Sequence, residues 1–118
     1  MAVTANRSVS IALTSGVTAG QTIQAAENTS SPGSVTVQDL ASGFNTITVP
    51  VATGVTVVSV TIVPPAANST SITLKGVTGD TGIRIHNTDP TTIAIHSNVT
   101  TIGLTAGGAI SGVRFFWT

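Results

Sequence analysis

The chain contains no cysteine and very few charged or aromatic residues. Of its 118 residues, 7% are charged and 3% are aromatic, with no tyrosine and a single tryptophan. Soluble domains typically carry about 25% charged residues. Without cysteine there can be no disulfide, no iron–sulfur cluster and no cysteine-based zinc site. Folding must rely on apolar burial and backbone hydrogen bonds, and we expect no cofactor.

The few charges are balanced and scattered. Four basic and four acidic residues give a net charge of zero. A nucleic-acid partner is not expected, because Arg7, Lys75, Arg84 and Arg114 are far apart in sequence and such a surface needs clustered cations. Zero net charge also removes the repulsion that keeps monomers apart. This favours a homo-oligomer or a larger lattice; the alternative is a monomer whose surface is rich in hydroxyl groups.

No targeting or membrane segment is evident. The start, Met1–Arg7, lacks a basic stretch followed by an apolar core, so we expect no secretory signal and synthesis in the cytoplasm. The most apolar stretch, Val55–Ala67, is interrupted by threonines, a serine and two prolines. It is too short and too polar to span a bilayer as a helix, so we expect no membrane partner.

Apolar residues alternate with small polar residues along most of the chain, which indicates half-buried antiparallel strands. The alternating sets are Val9/Ile11/Leu13, Val35/Val37, Ile47/Val49, Ile72/Leu74, Ile83/Ile85, Ile93/Ile95, Ile102/Leu104 and Val113/Phe115/Trp117. Between Val55 and Val63 the phase switches near Val57–Val58, which predicts a β-bulge or a strand buried on both faces. We read this stretch as the central strand.

Turn residues recur at short intervals between these stretches. Eight to ten short strands with this spacing predict one antiparallel β-sandwich or a jelly-roll-like barrel. We assign residues 8–118 to this single domain. Residues 1–7 form an arm before the first strand, which either frays or pairs with the sheet edge of a neighbouring subunit.

Two sets of residues invite a catalytic or metal-binding interpretation. Asp80-Thr81-Gly82 matches the tripeptide of retroviral-type aspartic proteases, but glycines surround it and Asp80 can instead bond backbone N–H groups of a turn. His86 and His96 both follow strands. If those strands pair as a hairpin, the histidines lie roughly 12–15 Å apart at about 3.4 Å per residue, too far for one metal ion within a subunit. A symmetric oligomer could still join their copies. We therefore predict a protein that is not an enzyme, with no catalytic, cofactor-binding or metal-binding residue.

The C-terminal strand has large residues on both faces. Alternation directs Val113, Phe115 and Trp117 to one face and Arg114 and Phe116 to the other. One face closes the core, and the other is either further core or a subunit contact, where aromatic residues and arginine are enriched. Arg114, Phe116 and Trp117 are the candidate contact residues.

The stretch from Val51 to Trp117 resembles small all-β virion proteins of tailed bacteriophages. The residues that carry the resemblance are Ile62-Val63-Pro64-Pro65, Thr73 through Ile83, Pro90-Thr91 before an Ile-x-Ile strand, and the ending Gly112-Val113-x-Phe115-Phe116. The pattern of these segments is similar to that of head-decoration or cement proteins. That resemblance implies a capsid decoration protein in the virion, assembled in the host cytoplasm. Its partners would be copies of itself, with a trimer favoured, and the major capsid protein. The alternative is a carbohydrate- or receptor-binding sandwich module of a tail or head fibre.

Overall fold

The computed structural model of the chain describes residues 4–10, 26–32, 34–51 and 56–118. These residues form ten strands and no helix, so none of them makes a helical membrane span. The strands are β1 (Thr4–Ser10), β2 (Ala26–Pro32), β3 (Ser34–Leu40), β4 (Gly43–Thr48), β5 (Ser59–Val63), β6 (Ile72–Lys75), β7 (Ile83–Ile85), β8 (Thr91–Ala94), β9 (Thr101–Ala106) and β10 (Ile110–Trp117). The predicted all-β fold with eight to ten short strands is confirmed.

Eight strands form two antiparallel sheets, in the orders β3-β10-β5-β8 and β4-β9-β6-β7. Within them, β3 pairs with β10, β4 with β9, β5 with β8 and β6 with β7. The chain from β3 to β10 is therefore one long antiparallel hairpin whose tip lies between β6 and β7. Two further pairings, β5 with β10 and β6 with β9, roll this hairpin into a two-sheet jelly roll.

The core lies between the two sheets and is supplied by alternate residues of both. Its buried members are Leu40, Ile47, Val49, Val60, Ile62, Ile72, Ile85, Leu104, Ala106, Ile110, Val113, Phe115 and Trp117. The largest are Phe115 and Trp117, whose rings stack with centroids 5.8 Å apart and planes 16° from parallel. Both belong to β10, an inner strand between β3 and β5. The predicted inward phase of Val113, Phe115 and Trp117 is confirmed.

Two irregularities bend the sheet that contains β10. Between Ile110 and Val113, β10 advances by three residues while its partner β3 advances by two, from Leu40 to Gln38. Gly112 supplies the extra residue at φ 78°, and its N–H donates to Asp39 Oδ1 at 2.8 Å.

A second irregularity precedes β5, where the N–H groups of Val58 and Ser59 both donate to the carbonyl oxygen of Thr118. Two donors on one acceptor mark a β-bulge. It lies within one residue of the predicted phase switch, and β5 is an inner strand as predicted.

Strand β3 faces the opposite way from the prediction. Alternation assigned Val35 and Val37 to the core, yet they are 50% and 65% exposed. Thr36 points inward instead, and its Oγ1 accepts a hydrogen bond of 2.8 Å from the indole Nε1 of Trp117. A buried indole N–H requires an acceptor. Because side chains alternate along a strand, the inward direction of Thr36 and the outward direction of Val35 and Val37 belong to one register of β3.

The strand pairing bears on two further predictions. The predicted arm, residues 1–7, overlaps β1, which forms a two-stranded sheet with β2, and within the described residues the jelly roll begins at Ser34. The alternation of Ile11 and Leu13 falls outside the described residues. Strands β7 and β8 do not pair as a hairpin, because β7 joins β6 and β8 joins β5. Strand β7 is only three residues long, and its Ile83 is 70% exposed, contrary to the prediction.

Candidate assembly surface

The predicted contact residues of β10 separate onto two faces. Trp117 is fully buried in the core, so the structure does not support its assignment to a subunit contact. Arg114 is exposed and Phe116 is half-buried on the opposite, outer face of the sheet. Only these two of the three candidates are available to a partner of the folded chain.

Neighbouring strands extend this outer face into a patch. The register places Phe116 of β10 opposite Val35 of β3, and Arg114 opposite Val37. The guanidinium carbon of Arg114 lies 5.8 Å from the centroid of the Phe116 ring, within the range of a cation–π contact. These four residues, Val35, Val37, Arg114 and Phe116, are called the β3 patch. It combines exposed valines, an aromatic ring and an arginine, which resembles the core composition of protein interfaces.

The β3 patch adjoins the least protected sheet edge of the jelly roll. The edge strands are β3 and β8 in one sheet and β4 and β7 in the other. Strands β7 and β8 have only three and four residues, and short edges discourage pairing with other chains. Strand β4 has six residues, and its exposed positions include Thr46 and Thr48. Strand β3 has seven residues, two exposed valines and no lysine or arginine. It therefore offers the longest and most apolar template for strand pairing.

The two-stranded sheet of β1 and β2 lies next to this edge in the sequence. Only Gly33 separates the end of β2 from the start of β3. Within the described residues, β1 and β2 pair with each other and with no strand of the jelly roll. An isolated two-stranded hairpin is marginally stable in water. Further strand pairing would stabilise this hairpin, which is consistent with the predicted arm that pairs with a neighbour.

The polar groups that suggested catalysis serve local turns. Asp80 Oδ2 accepts hydrogen bonds from the N–H groups of Gly76, at 3.1 Å, and Val77, at 2.9 Å. The predicted role of Asp80 in bonding turn backbone is therefore confirmed. Gly76, Gly79 and Gly82 surround Asp80, and of these three only Gly82 has a positive φ, at 73°.

The two histidines are engaged separately. His86 Nδ1 accepts a hydrogen bond of 2.9 Å from the N–H of Asp89, and His96 Nδ1 lies 2.7 Å from Asn98 Oδ1. Each histidine thus binds the turn that follows it. In the part of the chain that the structure describes, no three histidine, aspartate or glutamate side chains are grouped as metal ligands would be.

An open cleft lies where the two sheets separate between the short edges β7 and β8. Its volume is about 600 Å³, and its apolar lining includes Leu74, Ile83, Ile93 and Ile102. Among the described residues that line it, Lys75 and Asp80 are the charged ones. Asp80 Oδ2 is already bonded to the backbone of its own turn.

A shallower depression of about 610 Å³ is lined by polar residues around Asn68, Arg84 and His86. The amide of Asn68 donates to the backbone oxygens of Thr70 and Asn87, so it is occupied in holding a turn. None of the described residues that line the depression is a phenylalanine or a tryptophan, whereas sugar-binding surfaces commonly stack sugar rings on such side chains. The sole tryptophan is buried in the core.

Comparison with protein-family models, with curated proteins and with solved structures found no match for this chain.

Proposed function

We propose that the chain is a virion structural protein of the capsid-decoration type. It would stabilise a shell through contacts with copies of itself and with the major capsid protein. The observation that carries the proposal is the β3 patch beside the longest open edge of the jelly roll. Val35 and Val37, at 50% and 65% exposure, contribute nothing to the core of the monomer, and they lie beside an aromatic ring and an arginine.

The composition supports the same function. A net charge of zero with 7% charged residues gives little electrostatic repulsion between copies. Jelly rolls are used by viral capsid domains, although they also occur in lectins and in enzymes of the cupin type. The sequence resemblance to phage head-decoration proteins favours the virion among these uses. Many weak contacts repeated by symmetry would supply the strength of the assembly.

The mechanism would be mechanical. A jelly roll with two packed sheets is a rigid unit, because its core side chains interdigitate at high density. Such a unit, seated across a junction between capsid subunits, resists their separation when contacts on both sides must break together. This role would require no chemical reaction by the chain.

Co-sedimentation with capsids tests the proposal. We expect genes for a portal, a maturation protease and a major capsid protein to flank the gene of this chain. Capsids assembled from that major capsid protein are then the probe. Saturable binding at a fixed ratio of chain to capsid subunit, with an increased temperature of capsid disruption, would support the proposal. A gene neighbourhood without capsid genes, or chain that stays in the supernatant at all concentrations, would refute it.

The alternative is a glycan- or receptor-binding module of a fibre. Lectins also use the jelly roll, but neither depression described above has an aromatic platform. A glycan array distinguishes the two functions, since strong and saturable binding to one glycan class would favour the module.

A further inference from the structure

We propose that strand β1 of one copy pairs with the free edge of β3 in the next copy. The contact is heterologous, because a donor strand meets a different acceptor strand, and repetition around a rotation axis closes it into a ring. The inference rests on the self-assembly part of the proposed function. It does not depend on a capsid, so the two can fail separately.

Two incomplete elements lead to this pairing. The β1–β2 hairpin is a two-stranded sheet with no third strand among the described residues, and such hairpins are marginally stable alone. Among the described residues, β3 ends its sheet and no strand pairs with the outer side of its backbone; an open apolar edge is a template for strand addition. One contact between copies would complete both elements.

The lengths of the two strands match. Both β1 and β3 have seven residues. If they overlap fully, their middle residues, Arg7 and Val37, lie opposite each other whether the strands run parallel or antiparallel. The β3 patch, which contains Val37, would then lie alongside the added strand.

The charges select β1 over other partners. Strand β1 contains one charged residue, Arg7, and β3 contains one of opposite sign, Asp39. Full overlap puts Arg7 diagonal to Asp39, at a distance that long side chains can bridge. Strand β2 carries the acidic Glu27 instead, and an antiparallel overlap of β2 with β3 would place Glu27 opposite Asp39. Pairing of β3 with β3 of a second copy offers no cation on either strand to attract Asp39.

Charge substitutions at the two middle positions test the proposal on the full chain. Val37→Lys places a cation opposite Arg7, and Arg7→Glu places an anion diagonal to Asp39. We expect each variant alone to weaken self-association by about tenfold, because like charges across paired strands repel. The double variant Arg7→Glu/Val37→Lys restores an opposite-charge pair between the two directly opposed positions, and only the diagonal contact with Asp39 stays repulsive, so it should self-associate more strongly than either single variant. Sedimentation velocity over a range of protein concentrations measures the association.

A matched control guards against a general effect of added charge. Thr46→Lys adds the same cation to an exposed position on edge strand β4 of the other sheet, and it should leave association unchanged. Circular dichroism should show that all variants fold, since Val37 is already 65% exposed.

Specific results would overturn the pairing. A wild-type chain that remains monomeric at all concentrations excludes it. The pairing is also excluded if Val37→Lys weakens self-association while Arg7→Glu leaves it unchanged. That result would assign the contact to β3 of both copies. Failure of the double variant to recover also excludes it. If the weakened variants still co-sediment with capsids, the decoration function survives and only the β1–β3 contact is refuted.

Discussion

The sequence pattern and the structure predict different effects on stability when Thr36 is replaced by valine. By pattern alone, a third β-branched apolar residue between Val35 and Val37 should be harmless, because threonine and valine have similar shapes and both favour strands. In the structure, Thr36 Oγ1 accepts the indole N–H of Trp117 at 2.8 Å. Trp117 is 0% exposed. The valine would leave that donor without its partner.

The expected cost follows from this lost acceptor. A buried donor left unsatisfied costs about 1–3 kcal/mol. Thr36 is only half-buried, so a water molecule could replace part of the lost hydrogen bond, and we expect a cost in the lower half of that range, about 1–2 kcal/mol. Thr36→Val leaves almost no cavity, so a further packing penalty is not expected.

Urea unfolding followed by circular dichroism measures this cost. The experiment should use a low protein concentration, so that self-association does not add to the apparent stability. Fluorescence of the single tryptophan reports the surroundings of Trp117 in the same samples. In a Trp117→Phe background the donor is absent, so Thr36→Val should then change the free energy of unfolding by no more than about 0.5 kcal/mol. A Thr36→Val variant as stable as the wild type would refute the inward assignment of Thr36.

Other substitutions test further parts of the structure by the same measurement. Gly82→Ala should destabilise the fold by about 1–2 kcal/mol or more, because Gly82 has φ 73° and an added Cβ would clash with the carbonyl oxygen of Leu74. Gly79→Ala is its control, since nothing lies within 4 Å of an added Cβ there. Asp80→Ala should cost about 1 kcal/mol through two lost backbone hydrogen bonds, with Asp80→Asn less affected. Val35→Thr should stay within about 0.5 kcal/mol of the wild type; a loss of several kcal/mol would show that Val35 is part of the core.

The fold class could be predicted because alternation is a local property. Each strand needs only a few residues to show its period, and β-branched residues with regular turns indicate short strands wherever the chain is half-buried. The inward phase of Val113, Phe115 and Trp117 was clear because large apolar residues occupy one parity. The bulge before β5 was also visible, since an extra residue must switch the phase.

Strand partners could not be predicted in the same way. The turn between β7 and β8 suggested a hairpin, but from β3 to β10 every pair of consecutive strands except β6 and β7 lies in different sheets. Most partners are then set by long-range pairing, such as β3 with β10 and β5 with β8. No local period contains that information. The separate β1–β2 sheet was missed for a related reason, because its strands are mostly polar and show little apolar alternation.

The reversed face of β3 connects the stability of the monomer to its assembly surface. Side chains alternate strictly along a strand, so the inward position of Thr36 forces Val35 and Val37 outward. The register that gives the indole of Trp117 its acceptor therefore also sets which residues of β3 a partner would meet. If β3 instead presented its valines to the core, Ser34, Thr36 and Gln38 would form a hydroxyl and amide surface with much less apolar area to bury against a neighbour. The hydrogen bond inside the jelly roll and the apolar edge outside it are thus two consequences of one strand register.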